Sequence, residues 1–286
     1  MNRRLHYFLL LAILVSCFMV SCRKTILQAL HPAETEVPQL LETDPPILTP
    51  VTFTISPGIS GFYSSVPARY FESTYKYPLI LFFHGGGQYG NGSTELYKVL
   101  QDGIPKLQDE KKFPPSFTVN GRSFSFITIS PQFERSPSNA DIRAMVDYVK
   151  ANYRIDVSRI YLVGFSLGAR FLSDFAAVYP TEIAAVVSMA GMPQITSQLA
   201  GKAQSMVNAN LPIWHAHNRD DSAWYYSESV RYIQQLNSFN PLIPPRFTSF
   251  DVGTARLHHD CWTRLTDPEY RENDKNIYEW MLGYLR

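Results

Sequence analysis

The run Leu79-Ile80-Leu81-Phe82-Phe83 contains no polar position, and it stops at His84 followed by three glycines. A short apolar segment between Pro78 and a glycine cluster reads as a strand buried on both faces. Further segments repeat the theme. Val51 to Ile55 alternates as a strand does, and Phe124 to Ile129, Arg159 to Gly164, Ala184 to Met189, Pro212 to Ala216 and Phe247 to Val252 read as strands. Between them, Ala140 to Tyr153 places Ile142, Met145, Val146, Val149 and Tyr153 at helical spacing. Helices are also expected over Leu167 to Tyr179, from about Ser227 to Leu236, and over Ile277 to Leu285. Strands alternating with helices predict an α/β fold: a mostly parallel central sheet with helices on both faces. In such sheets, sites form beyond the carboxyl ends of the strands.

Composition supports a packed domain. Apolar residues make up 45% of the 286 and charged residues 18%, which excludes a disordered or fibrous chain. Lys plus Arg is 26 and Asp plus Glu is 25, so no net charge steers the chain to nucleic acid. No internal repeat is evident.

The first residues read as an address. Arg3 and Arg4 precede an almost wholly apolar stretch from Leu5 to Val20, as in a secretory signal. Leu14-Val15-Ser16-Cys17 and Met19-Val20-Ser21-Cys22 both look like bacterial lipoboxes, in which the cysteine is lipidated and becomes the new N-terminus. Cys22 is favoured over Cys17, because the apolar run continues to Val20 and Arg23-Lys24 ends it. The expected organisation is a lipoprotein signal over 1–22, a proline-rich tether over 23–50 and a catalytic domain over 51–286. An exported lipoprotein follows, held by its N-terminal lipid at a membrane in the periplasm or on the cell surface. The mature chain would then carry one cysteine besides the lipidated Cys22, namely Cys261, so no internal disulfide is expected.

Chemistry concentrates at strand ends. Gly164-Phe165-Ser166-Leu167-Gly168 follows one expected strand and opens an expected helix, which is the nucleophile-elbow pattern. Its glycines allow a tight turn that lifts the serine hydroxyl out of the sheet. His84-Gly85-Gly86-Gly87 follows another strand, and a glycine run there lets backbone N–H groups approach a ligand. The backbone N–H groups of Gly86 and Leu167 are therefore the candidate oxyanion donors. His84 precedes the serine in the chain and is read as pinning the loop. A serine hydroxyl needs an imidazole to take its proton and a carboxylate to orient that imidazole. His217-Asn218-Arg219-Asp220-Asp221 offers two adjacent acids after a strand, and His258-His259 offers two bases after the last one. Serine, acid and base thus fall in the chain order that this architecture uses. Trp224 and Trp262 neighbour the acid and base segments and are expected at the substrate pocket, with core packing an equal alternative. The segment from Met192 to Asn210 is expected as a rim or lid.

A metal site is the competing reading. His215 and His217 share a strand face, and His258, His259, Asp260 and Cys261 are ligand types. No His-Glu-x-x-His or Cys-x-x-Cys spacing occurs and the serine turn would go unexplained, so neither metal nor cofactor is expected.

These residues resemble the phospholipase/carboxylesterase-like branch of the α/β-hydrolase superfamily, with dienelactone hydrolase, polyhydroxybutyrate depolymerase and predicted peptidases. The resemblance runs from about Tyr63 to the C-terminus. It rests on Tyr70 to Gly87, above all Tyr77 to Gly85, with Gly90 and Asn91, on Asp156 to Gly164, and on His259-Asp260-Cys261-Trp262, which looks like the His-Asp-x-Trp signature. It implies the α/β-hydrolase fold, His259 as the base and, four residues beyond His217, Asp221 as the acid. It departs at Leu167-Gly168-Ala169, where Met and two glycines are common, at His217-Asn218, where His-Gly is usual, and at Arg256-Leu257-His258. The expected activity is hydrolysis of small-molecule or polysaccharide-linked carboxylic esters through an acyl-enzyme on Ser166. A serine peptidase of the same fold, or a non-catalytic carbohydrate-binding or scaffold protein, are the alternatives.

Overall fold

The sheet begins with an antiparallel pair, β1 (Ile47–Ser56) and β2 (Ile59–Val66). This computed structural model describes residues 41–194, 196–251 and 258–286; the expected signal, Cys17, Cys22, most of the tether, Arg256 and Leu257 lie outside them. Next come β3 (Tyr77–Phe83), α1 (Gly103–Asp109) and a small hairpin of β4 (Phe117–Val119) and β5 (Arg122–Phe124). β6 (Ile127–Phe133), α2 (Asn139–Asn152), β7 (Ile155–Phe165) and α3 (Leu167–Val178) follow. The chain continues through β8 (Ala185–Met189), α4 (Leu199–Asn208), β9 (Ile213–Asn218), α5 (Tyr226–Asn237) and β10 (Arg246–Phe250). It closes with α6 (Trp262–Leu265) and α7 (Ile277–Met281).

The eight sheet strands lie in the order β1-β2-β6-β3-β7-β8-β9-β10. β2 pairs antiparallel with both neighbours, and every pairing from β6 to β10 is parallel. β3 is buried along its whole length, as its composition requires. Its alternate residues serve two cores. Tyr77, Leu79, Leu81 and Phe83 join one with α2, α3, α4 and α5; Ile80 and Phe82 join the other with α1, α6, α7 and the hairpin. After β3 the chain crosses to β6 on one side, and after β6 it returns to β7 on the other. The reversal leaves a crevice at the carboxyl ends of β3 and β7, the position where open α/β sheets bind ligands.

Local chemistry sets several boundaries. Ser138 caps α2 in a reciprocal box: its hydroxyl accepts the Asp141 N–H, and the Asp141 carboxylate accepts the Ser138 N–H. The expected strand Phe124 to Ile129 is broken, because Phe124 ends a hairpin and Ile127 starts β6. The hairpin turns at Asn120-Gly121, with φ 52° and 76°, the conformation a two-residue turn between paired strands demands. β1 starts at Ile47, ahead of the expected Val51. The terminal helix ends at Met281, short of the expected Leu285. The expected lid over 192–210 contains α4, whose Leu199, Ala203, Met206 and Val207 are buried in the first core.

One glycine fixes how β7 turns into α3. A Cβ on Gly168 would lie 2.3 Å from the Phe83 carbonyl oxygen and 2.5 Å from that of His84. Both are backbone atoms that cannot swing aside. Gly168→Ala is therefore expected to lower the urea midpoint, costing about 1–3 kcal/mol as overpacking does. An unchanged midpoint would contradict this close approach.

Candidate active site

Ser166 is the last residue before α3 and sits at φ 54° and ψ −126°. A non-glycine residue there is strained, and the strain is held by the surrounding structure. Its N–H donates to the Met189 carbonyl at 2.8 Å, which ties the turn to the neighbouring strand. A Cβ on Gly191 would lie 2.1 Å from the Ser166 carbonyl oxygen, so the next strand end also presses on the turn.

Three expected residues from distant segments meet here. The Ser166 hydroxyl lies 2.8 Å from His259 Nε2, and His259 Nδ1 lies 2.6 Å from Asp221 Oδ2. The carboxylate only accepts, so Nδ1 carries the imidazole proton and Nε2 is left to accept from the serine. The two adjacent acids and the two adjacent histidines take different partners. Asp220 pairs with His258 at 2.6 Å on the exposed side, whereas Asp221 faces His259 in the interior. Asn218 Nδ2 donates to the His258 carbonyl at 2.7 Å, holding the chain just before His259.

Asp221 is well surrounded. Its Oδ1 accepts the Ala223 and Trp224 N–H groups at 2.8 and 2.9 Å. Its Oδ2 accepts from His217 Nε2 at 2.8 Å in addition to His259. Burial pushes its carboxyl up, but hydrogen bonds from His217, His259 and the Trp224 amide outweigh it and hold the group well below the usual carboxylate range. Asp221 is therefore a charge, fixed in place and fully solvated by protein donors.

The glycine loop lies against the serine turn. Gly86 opens a short 3-10 turn, Gly86–Gln88, and Leu167 opens α3. N–H groups at such positions have no acceptor within their own turn. A Cβ on Gly85 would lie 3.3 Å from the Ser166 Cβ, and one on Gly86 would lie 3.0 Å from the Leu167 side chain. The loop is held from behind. His84 Nδ1 donates to the Gly85 carbonyl at 2.6 Å, and its Nε2 accepts the Phe133 N–H at 2.9 Å. Gln132 Nε2 donates to the Gln88 carbonyl at 2.9 Å.

Trp262 takes the core-packing alternative, and Trp224 lies half-buried beside the acid. Trp262 is only 2% exposed; its ring stacks on Phe165 with centroids 4.3 Å apart and packs perpendicular to His259 with centroids 5.3 Å apart. Its Nε1 donates to the buried Asp102 at 3.3 Å, and Asp102 also accepts from Gln88 at 2.5 Å. Trp262 thus braces His259 and links it to the glycine loop. Trp224 is partly buried, donating its ring N–H to Glu228 at 2.8 Å and its backbone N–H to Asp221. Cys261 is buried beside the site; burial pushes its thiol up, which disfavours the reactive thiolate.

Sequence reasoning missed the supports: Asp102, Gln88, Ser188 and Ser229 carry no motif. His215 and His217 form a same-face pair in the sequence, and the structure joins them through the Ser229 hydroxyl. Among the described residues no group of three or more His, Cys, Asp or Glu side chains has the arrangement of a metal site.

The elbow and sheet have counterparts in known proteins. Residues 78–223 match the family described as alpha/beta hydrolase fold. This chain belongs to that family. It is 28% identical over 157 residues to a bifunctional acetylxylan esterase/xylanase of Neocallimastix patriciarum, covering 55% of this chain and 21% of that protein. It is 31% identical over 147 residues to poly(3-hydroxyalkanoate) depolymerase C of Paucimonas lemoignei, covering 49% of this chain and 33% of that one. The chain thus spans a fifth to a third of the length of these relatives. The solved structure of a thermostable esterase superposes with a TM-score of 0.58 at 18% identity, over 85% of this chain and 64% of that one. At that identity the likeness concerns the fold.

Buried histidines make the site's frame acid-sensitive. Burial lowers His84 from 6.5 to about 4, and burial followed by the nearby His217 lowers His215 from 6.5 to about 3. A histidine with a depressed folded pKa binds its proton more readily when unfolded. Stability is then intact above about pH 6.5 and falls as pH drops toward 4 and on to 3. The slope is at most about 1.4 kcal/mol per pH unit for each histidine. Urea midpoints measured from pH 8 to 4 should be level above 6.5 and decline below it; a level midpoint throughout would contradict these burials.

Proposed function

We propose that this protein is a serine carboxylesterase acting through an acyl-enzyme. The single observation that supports it is the unbroken line Ser166–His259–Asp221, with hydrogen bonds of 2.8 and 2.6 Å beside a glycine loop. Ser166 Oγ attacks the ester carbonyl carbon as His259 Nε2 takes its proton, and Asp221 stabilises the imidazolium. The Gly86 and Leu167 N–H groups receive the oxyanion. Collapse expels the alcohol, which takes the proton back from His259. Water then attacks the acyl-serine with His259 again as base, releasing the acid and restoring Ser166. The pre-oriented carboxylate and donors need little rearrangement during reaction, which is where such sites gain most of their rate.

The substrate we propose is an ester carried on a polymer, first an acetyl group on a polysaccharide. One relative is named for acetylxylan and another for poly(3-hydroxyalkanoate). The N-terminal Arg3-Arg4, apolar run and Cys22 support a lipid-held, exported protein.

A fluorophosphonate probe should label the full chain once, and Ser166→Ala should abolish labelling. The same variant should lower hydrolysis of p-nitrophenyl acetate and acetylated xylan by about 10⁴-fold or more. Labelling or hydrolysis that survives Ser166→Ala would overturn the reading. Cleavage of peptides and not esters would point to the peptidase, and a folded protein inert to both would point to a binding role. Cys22→Ser should move the protein from the membrane pellet to the soluble fraction; equal distribution of the two forms would remove the lipid from the proposal.

A further inference from the structure

Behind Asp221 lies a second line of polar side chains that the reaction does not consume. Ser188 Oγ is 2.8 Å from His215 Nδ1, and His215 Nε2 is 2.6 Å from Ser229 Oγ. Ser229 Oγ is 2.5 Å from His217 Nδ1, and His217 Nε2 is 2.8 Å from Asp221 Oδ2. Ser188 comes from β8, the two histidines from β9 and Ser229 from α5. All four side chains are buried, with no exposure of Ser188, His215, His217 or Ser229. Hydroxyls and imidazoles placed out of water need partners, and a partly satisfied chain would be worse than an apolar core.

The proton directions can be assigned from acceptors that cannot donate. His217 Nε2 faces the Asp221 carboxylate and, at 3.1 Å, the Trp224 carbonyl. Neither oxygen carries a proton, so Nε2 does. The neutral ring then leaves Nδ1 bare, and Nδ1 accepts the Ser229 O–H. Ser229 has spent its one proton, so its oxygen accepts from His215 Nε2–H. His215 Nδ1 is bare in turn and accepts the Ser188 O–H. Every proton in the line is used once, and all point toward Asp221.

Asp221 Oδ2 is the meeting point of two imidazole donors, His217 from the interior and His259 from the cleft. We propose that His217 is a positioning residue for the reaction: the Ser188–His215–Ser229 line fixes its tautomer, and its Nε2–H holds Asp221 Oδ2 where that oxygen receives His259 Nδ1–H. This deepens the esterase reading and rests on it. His217 touches neither the hydroxyl of Ser166 nor any reacting atom. It acts through Asp221, so its loss should fall on turnover rather than on substrate binding. A small displacement of a catalytic group is enough to cost about 10²-fold.

Three variants of the full chain test this with p-nitrophenyl acetate, counting active sites by exhaustive fluorophosphonate labelling so that misfolded protein does not enter the rate. His217→Leu removes the donor. His217→Gln returns an amide N–H near the Nε2 position. Ser229→Ala keeps both histidines and removes the hydroxyl between them. The expected result is a 10- to 100-fold fall in kcat per site for His217→Leu with KM within about twofold, recovery of most of that loss in His217→Gln, and a several-fold fall in kcat for Ser229→Ala. A merely structural histidine would lower the yield of labelled sites, leave kcat per site intact and show no preference for Gln over Leu. That pattern would overturn the proposal. Where His217→Leu does not fold, Ser229→Ala decides, and an unchanged kcat there overturns it. Ser166→Ala runs alongside: activity surviving in that variant ends the esterase reading itself, whereas its loss beside an unaffected His217→Leu ends only this inference.

Discussion

A buried negative charge organises this site. Asp221 sits in the interior with both carboxylate oxygens occupied by donors from the protein. A carboxylate without such partners would either take up a proton or unfold its surroundings. Here two backbone N–H groups and two imidazoles replace the water it lost. The arrangement is costly to assemble, and the fold meets the cost by drawing donors from the turn after β9, from β9 itself and from the segment before α6. Once that charge is fixed, the orientation of His259 follows, and with it the atom that faces Ser166.

The sheet explains why these segments meet. A strand as apolar as β3 must lie inside the sheet, and its neighbours on either side are reached by crossovers in opposite directions. The crevice so formed receives the glycine loop from β3 and the serine turn from β7. Their contact is close enough that Gly168 sits directly on the carbonyl oxygens of Phe83 and His84. The strained backbone of Ser166 is a consequence of the same crowding, held on one side by Met189 and on the other by α3. Packing, rather than any single hydrogen bond, sets where the hydroxyl points.

Much of this was legible in the residues. The apolar strands and the elbow announced themselves through patterns with a direct physical cause: continuous burial for one, a tight turn for the other. Other parts carried weaker signals. β2 holds Ser60, Gly61, Ser64 and Ser65, so its hydrophobic alternation is faint, although Gly61 packs against the backbone of Gly92 and admits no side chain. The Asn120-Gly121 hairpin was a readable turn that lay hidden against the expected strand beginning at Phe124. α4 lies in the segment expected as a rim or lid, although Leu199, Ala203 and Val207 recur at helical spacing. The bracing of His259 by Trp262 and Asp102, and the hydroxyl bridges among Ser188, His215 and Ser229, arise from residues distant in the chain. Serines and a lone aspartate have no pattern until the fold gathers them.

In the proposed reaction Ser166 is the nucleophile, and the Gly86 and Leu167 amides receive the oxygen of the carbonyl it attacks. The most direct measurement is a crystal structure of the protein after reaction with a phosphonate ester. The expected result is a covalent bond from Ser166 Oγ to phosphorus, with the phosphoryl oxygen within about 3 Å of both amide nitrogens, as an oxyanion site requires. Phosphorus bonded to another side chain, or a phosphoryl oxygen turned away from both amides, would contradict it.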